Sequence, residues 1–263
     1  MTSPTTAMSR DELTTLLRRL QLHSTAEGLD DFLARAIKQR FSPQTFLEEL
    51  VRAEQRERER RSLETRLRTA GTGRMKPMAD FDWNWPKKID RQAIERALSG
   101  EMIRAKESLV LVAAQGLGKT TIAKNIAHQA VLQGRSALFI EASKMLLDLS
   151  GRDSARELSR RLKYYARPDV LCVDEIGYLS YDGRAADLLY EIVTRRHGEK
   201  SLVVTTNLAF ADWPTVFPNA SCVAAMVDRL IEHADIVAIE GESYRKREAE
   251  ERKKARAMKR SKR

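Results

Sequence analysis

The 263-residue chain is 42% hydrophobic and 32% charged, which suits one domain of ordinary size plus a smaller appendage beneath a heavily charged surface. Two cysteines, Cys172 and Cys222, make neither a disulfide framework nor a zinc site, and no apolar run approaches the ~18 residues needed to cross a bilayer. Met1-Thr-Ser-Pro-Thr5 lacks a charged-then-apolar signal pattern, so the expectation is a cytoplasmic chain with no membrane partner. The net charge of +10 is uneven, because residues 244–263 hold eleven lysines and arginines against three glutamates.

Residues 1–70 read as a small all-helical domain. Ser9 followed by Glu12 is a capping box opening a helix with Leu13, Leu16, Leu17 and Leu20 on one face. A second pattern places Leu29, Phe32, Leu33, Ala36 and Ile37 together. Ser42 as N-cap with Pro43 behind it starts a third, carrying Phe46, Leu47, Leu50 and Val51 and running on through the Arg/Glu-dense segment to Arg68. Such a segment is a solvent-exposed, ion-paired face, or else a surface for a DNA backbone or for assembly. Gly71-Thr-Gly73 and Pro77 then break the pattern, giving a linker over 71–88 that contains Phe81, Trp83 and Trp85. Those aromatics either stack on a base or plug the edge of the domain that follows.

Over residues 89–243 strand and helix patterns alternate, which predicts an α/β domain with a parallel five-stranded sheet. The strands expected are Ser108–Val112, Ser136–Glu141, Val170–Asp174, Leu202–Thr206 and Ile236–Ile239, each read as buried on both faces. Ligands on such sheets sit at the carboxyl ends of the strands.

After the first strand stands Gln115-Gly116-Leu117-Gly118-Lys119-Thr120-Thr121, opening a helix over Thr120–Leu132. This matches G-x-x-x-x-G-K-[ST] except that Ala113 occupies the first glycine position. Backbone N–H groups of such a loop cradle phosphates, Lys119 reaches the terminal phosphates of ATP and the Thr120 hydroxyl ligates Mg2+. Ala113 carries a cost only if that position needs a positive φ. After the third strand, Asp174 is the residue to hold Mg2+ and Glu175 the one to polarise water. Asn207 follows the fourth strand. Arg229 lies on an apolar helical stretch, Val223–Ile231, and Arg245 stands after the last strand at the root of the basic segment. That segment, 244–263, reads as a solvated tail or as an arm neutralising nucleic-acid phosphates.

In this order the motifs resemble AAA+ ATPases, and more closely the IstB-like ATP-binding proteins of insertion sequences, relatives of DnaC and DnaA. The resemblance also rests on Asp80-Phe81-Asp82, Val173–Leu179, Asn207–Trp213 and Asp228–His233, and on a helical insertion over Ser143–Arg167. It implies an AAA+ domain that forms a ring or helical homo-oligomer with ATP between subunits. Lys119 and Thr120 would then be Walker A, and Asp174 and Glu175 Walker B. Asn207 would be sensor 1, Arg229 an arginine finger acting in trans, and Arg245 sensor 2. The function implied is DNA-stimulated ATP hydrolysis with ATP-dependent binding of double-stranded DNA, assisting the transposase encoded by the same element. Two alternatives stand beside it: a DnaC-like helicase loader, and a DNA-binding scaffold whose ATP site is weakened at Ala113-Ala114.

Overall fold

Ser9 does cap a helix: its hydroxyl accepts the Glu12 N–H, and the Glu12 carboxylate accepts the Ser9 N–H in return. The computed structural model describes residues 8–178, 181–218 and 220–261. Met1–Thr5, Leu179, Lys262 and Arg263, all named above, lie outside the described residues, as do the side chains from Lys254 onward. Two compact units divide between Thr65 and Arg66.

The first unit is helical, with α1 (Arg10–Arg19), α2 (His23–Glu27), α3 (Leu29–Lys38) and most of α4 (Pro43–Thr69). Its apolar seam is narrower than the periodicity predicts. Leu29, Phe32 and Ala36 are buried, whereas Ile37 is 77% exposed and Leu47 and Val51 are 60% and 59% exposed. On α4 the buried position is Glu54 rather than an apolar residue. Glu54 accepts the Thr25 N–H at 3.1 Å and the Thr25 hydroxyl at 3.2 Å, so α2 is held by hydrogen bonds to a buried carboxylate. Along α4, Arg52, Arg58, Arg60 and Arg61 pair with Glu48, Glu49, Glu54, Glu57 and Glu64 at helical spacing, which favours the ion-paired reading of this face.

The second unit is an α/β domain. Helices α5 (Arg91–Leu98) and α6 (Glu101–Ala105) precede β1 (Ser108–Ala113), and α7 (Lys119–Leu132) leads to β2 (Ala137–Glu141). The predicted insertion is two helices, α8 (Ala142–Ser150) and α9 (Ala155–Ala166). Gly151 ends the first, and the Ser154 hydroxyl caps the second by accepting the Glu157 N–H. Next come β3 (Val170–Ile176), α10 (Gly183–Arg196), β4 (Ser201–Thr206), α11 (Trp213–Val216), α12 (Val223–Glu232), β5 (Ala234–Ile239) and α13 (Tyr244–Ser261).

All five strands pair in parallel in the order β2-β3-β4-β1-β5. β4 is buried throughout, as expected of a central strand between two helical layers. β5 departs from that expectation. It is one of the two edge strands, and Ile236 is half exposed because only one face is covered. The central order brings the ends of β3, β4 and β1 side by side, and the phosphate-loop motif leaves the last of them.

Beneath the sheet, Arg196 is 1% exposed and donates to the carbonyls of Ala166 (2.9 Å), Pro168 (3.0 Å) and Tyr165 (3.2 Å), as well as to that of Ser201. Burial pushes its guanidinium down to about 10. A buried cation is tolerable here because its two terminal nitrogens donate to backbone carbonyls at the end of α9, just beyond it and on β4, although Nε is left without a partner.

Candidate nucleotide-binding site

Strand β1 ends at Ala113, which pairs with Ile239 and is buried, and its φ is not positive. The conformational cost of alanine in place of glycine therefore does not arise. The glycines that do need their freedom come next: Gly116 has φ 82° and Gly118 φ 90°. A side chain at Gly116 would meet the Ser243 hydroxyl, and one at Gly118 would lie 2.6 Å from the Phe81 ring. The loop is thus closely covered on both sides. The Tyr244 N–H donates to the Gly116 carbonyl at 2.9 Å, joining the start of α13 to the loop.

Lys119 opens α7 and turns back, donating from Nζ to the carbonyls of Ala113 (2.5 Å) and Ala114 (3.0 Å). Burial lowers its pKa, and the charges of Asp174 and Glu175 oppose that shift. The Thr120 hydroxyl donates to Asp174 at 2.9 Å (Oδ2). On the other side of the same carboxylate, the Thr205 hydroxyl donates to Oδ1 at 2.6 Å. Burial raises the Asp174 pKa, and these two hydroxyls work against it. Helix, β3 and β4 are thereby linked through one buried carboxylate.

Glu175 is set apart by its backbone. Its φ is 63°, in the left-handed region that non-glycine residues avoid, and the β3–β4 register shifts between Val173 and Ile176. The bulge frees the Glu175 N–H from the ladder, and Thr205 Oγ1 accepts it at 2.9 Å. Burial, followed by the charges of Asp174 and Glu141, raises the Glu175 pKa. Strain of this kind persists only where the surroundings enforce it.

The cleft around these groups measures about 1010 Å3 counted to its open mouth, and is lined by Gly116, Leu117, Gly118, Lys119, Thr120, Thr121, Glu175 and Arg245 of the predicted set. Phe81, Asp82, Trp85, Tyr178, Tyr244 and Glu248 line it as well. Gln115 is exposed in the loop beside Tyr178. Asn207 follows β4 near Gly177, and its Oδ1 is buried without a hydrogen-bond partner. Arg229 is not in the cleft. It lies on α12, donates to the Thr194 hydroxyl and sits 4.8 Å from the centre of the Tyr190 ring.

Segment 71–88 is pinned as a strap. Buried Asn125 of α7 accepts the Met78 N–H at 3.0 Å and donates to the Lys76 carbonyl at 2.9 Å. Trp85 Nε1 donates to the Glu242 carbonyl at 2.7 Å, and Arg247 lies over the Trp85 ring while pairing with Asp82 at 3.2 Å. Sequence reasoning meets Thr205, Tyr178 and Tyr244 inside its motifs but gives them no role, and it does not find the bonds between the strap and the segment from Glu242 into α13. The signal for Thr205 is its place near the end of a wholly buried strand, beside the strand that ends in Asp174 and Glu175, but Ser201 and Thr206 are buried hydroxyls on the same strand.

An open cleft over a glycine loop, with lysine, hydroxyl and carboxylate at adjacent strand ends, defines a P-loop nucleotide-binding protein. The model of the IstB-like ATP-binding proteins matches residues 15–252, and the chain belongs to that family. It is 31% identical over 230 residues to an ATP-binding protein of insertion sequence IS5376 from Geobacillus stearothermophilus, covering 88% of this chain and 92% of the relative. Against that of insertion sequence IS21 from Pseudomonas aeruginosa, identity is 30% over 237 residues, covering 90% and 89%. The solved structure of DnaI superposes with a TM-score of 0.52 at 19% identity, over 64% of this chain and 89% of that one, a likeness of fold. The architecture is an AAA+ P-loop domain preceded by helices, and ATP binding follows from the family. No helix among the described residues is long and apolar enough to cross a membrane.

Proposed function

We propose that this chain is an ATP hydrolase serving the movement of an insertion sequence. ATP drives its self-association on duplex DNA into a ring or helical assembly, and the transposase of the same element acts on the DNA so held. The observation that carries the reading is the Thr120–Asp174–Thr205 hydroxyl–carboxylate chain with Glu175 turned out of β3 beside it. A protein that only binds nucleotide has no need of a strained carboxylate at that point.

In this account Lys119 exchanges the Ala113 and Ala114 carbonyls for terminal phosphate oxygens, and the loop N–H groups hold the remaining phosphates. Thr120 and Asp174 would hold Mg2+, which their all-oxygen donor set suits, and the ion when bound spreads the phosphate charge. Glu175 orients and takes a proton from the attacking water, a task for which a raised carboxylate pKa is favourable. The unpartnered Asn207 oxygen is suited to positioning that water, and Arg245 on the cleft wall to meeting charge on the transferring phosphoryl group. Arg229, outside its own cleft, suits the nucleotide of a neighbouring subunit.

The partner assignment is supported by the relatives, which are named as ATP-binding proteins of insertion sequences. DNA binding is supported by charge: Arg156, Arg160, Lys163 and Arg167 are exposed along α9 and just beyond it, and residues 254–263 hold six basic and no acidic residues. The test is fluorescence anisotropy of labelled duplex DNA combined with mass measurement of the protein. Wild type is expected to bind and grow in mass with ATP and not with ADP, and Lys119→Ala to do neither. DNA binding that is identical in all three cases contradicts the proposal.

A further inference from the structure

Helices α10 and α12 end side by side, and each is closed by a histidine: His197 is the C-cap of the first and His233 of the second. Glu232 stands between them. His197 Nε2 lies 2.8 Å from Glu232 Oε2, and His233 Nε2 lies 3.8 Å from Glu232 Oε1. The second distance is too long for a hydrogen bond. One ligand atom from each of the three residues falls within 4.8 Å of the others, and no other group of three metal-capable side chains does so among the described residues.

We infer that His197, Glu232 and His233 form a site for a divalent transition-metal ion of the zinc class. Donors around a tetrahedral ion with bonds of about 2.0–2.1 Å lie roughly 3.3 Å apart, so the present separations bracket the spacing required. Partly exposed side chains reach it by small rotations. Two imidazoles and one carboxylate favour zinc, cobalt or nickel over magnesium or calcium, which prefer oxygen donors alone. The backbones are already fixed, since the His197 N–H donates to Val193 and the His233 carbonyl accepts the Ser108 N–H at 2.8 Å. Both imidazoles also sit at the negative ends of their helices, where a cation is favoured. The nearby cations are engaged elsewhere: Lys106 pairs with Glu199 at 3.7 Å, and Arg229 is held by Thr194 and Tyr190.

An ion here ties α10 to α12 one turn beyond the Thr194–Arg229 hydrogen bond, and so restrains the arginine. That consequence rests on the proposed role of Arg229 across a subunit interface; the binding itself does not. The experiment titrates the full chain with Co2+ in millimolar Mg2+, which occupies any oxygen-only site. The expected result is a visible d–d band saturating at one Co2+ per chain, displaced by Zn2+, with the melting temperature raised by roughly 5–10 °C at a hundredfold excess of Zn2+ over Kd. His197→Gln and His233→Gln, which keep a polar side chain of similar reach, are each expected to weaken binding at least tenfold, and His128→Ala to leave it unchanged. Absence of a saturable band, or a band that persists in the His197→Gln/His233→Gln double variant, overturns the inference whether or not ATP is hydrolysed.

Discussion

Thr205 carries more of the site than its position in a buried strand suggests. Its hydroxyl donates to Asp174 and accepts from the Glu175 N–H, so one oxygen sets both the buried Asp174 carboxylate and the strained residue after it. Thr205→Val keeps the shape and leaves the Glu175 N–H without a partner. The variant is predicted to lose about 1–3 kcal/mol of stability in thermal melting. Its turnover is predicted to fall about tenfold or more with ATP affinity retained, and unchanged turnover would contradict the role. Glu175 itself is held above the ordinary glutamate value by burial, then by Asp174 and Glu141. In the proposed mechanism the ionised form is the active one, so the acid limb of the pH–rate profile should lie above the usual glutamate range. Glu141→Gln removes one of the charges that raise the pKa, so its acid limb is predicted to move to lower pH. A limb that stays in place, or moves upward, contradicts the electrostatic account.

Among the elements, α13 is both wall and tail. Its first turns face the cleft through Tyr244, Arg245 and Glu248, with Arg247 held by Asp82 and Trp85, while the basic residues from Lys254 onward lie further along the chain. A truncation at residue 246 therefore damages the cleft and the tail together. Removing residues 254–263 isolates the tail, taking away six basic residues. DNA affinity is predicted to fall and its log–log salt dependence to flatten by about 0.9 for each phosphate that the tail neutralises. A slope equal to that of the full chain would place the DNA-binding surface elsewhere, with the exposed basic row of α9 next in line.

Over the whole molecule, most of the fold was legible in the sequence for physical reasons. Central strands such as β3 and β4 are buried on both faces, so their composition alone marks them, and candidate site residues are sought at strand ends: Asp174 and Glu175 close β3, and Lys119 opens the helix after β1. What escaped was long-range or local-geometric. Nothing in the sequence around Trp85 specifies a bond to the Glu242 carbonyl, 157 residues away. The positive φ of Glu175 arises from a register shift between neighbouring strands, which no single-strand pattern encodes. Ile37, Leu47 and Val51 fit helical periodicity yet are exposed, while the buried position on α4 is Glu54, which periodicity of apolar residues does not mark.

The claim on which the rest depends is that Glu175 makes this a hydrolase rather than a nucleotide-binding scaffold. Steady-state phosphate release from ATP, with and without duplex DNA, tests it directly in wild type and in Glu175→Gln, which preserves shape and removes the charge. The account predicts turnover that rises with DNA in wild type and falls by about 100-fold or more in the variant, while ATP remains bound. Wild-type protein that binds ATP and DNA without releasing phosphate, or a Glu175→Gln variant that turns over at the wild-type rate, would contradict it.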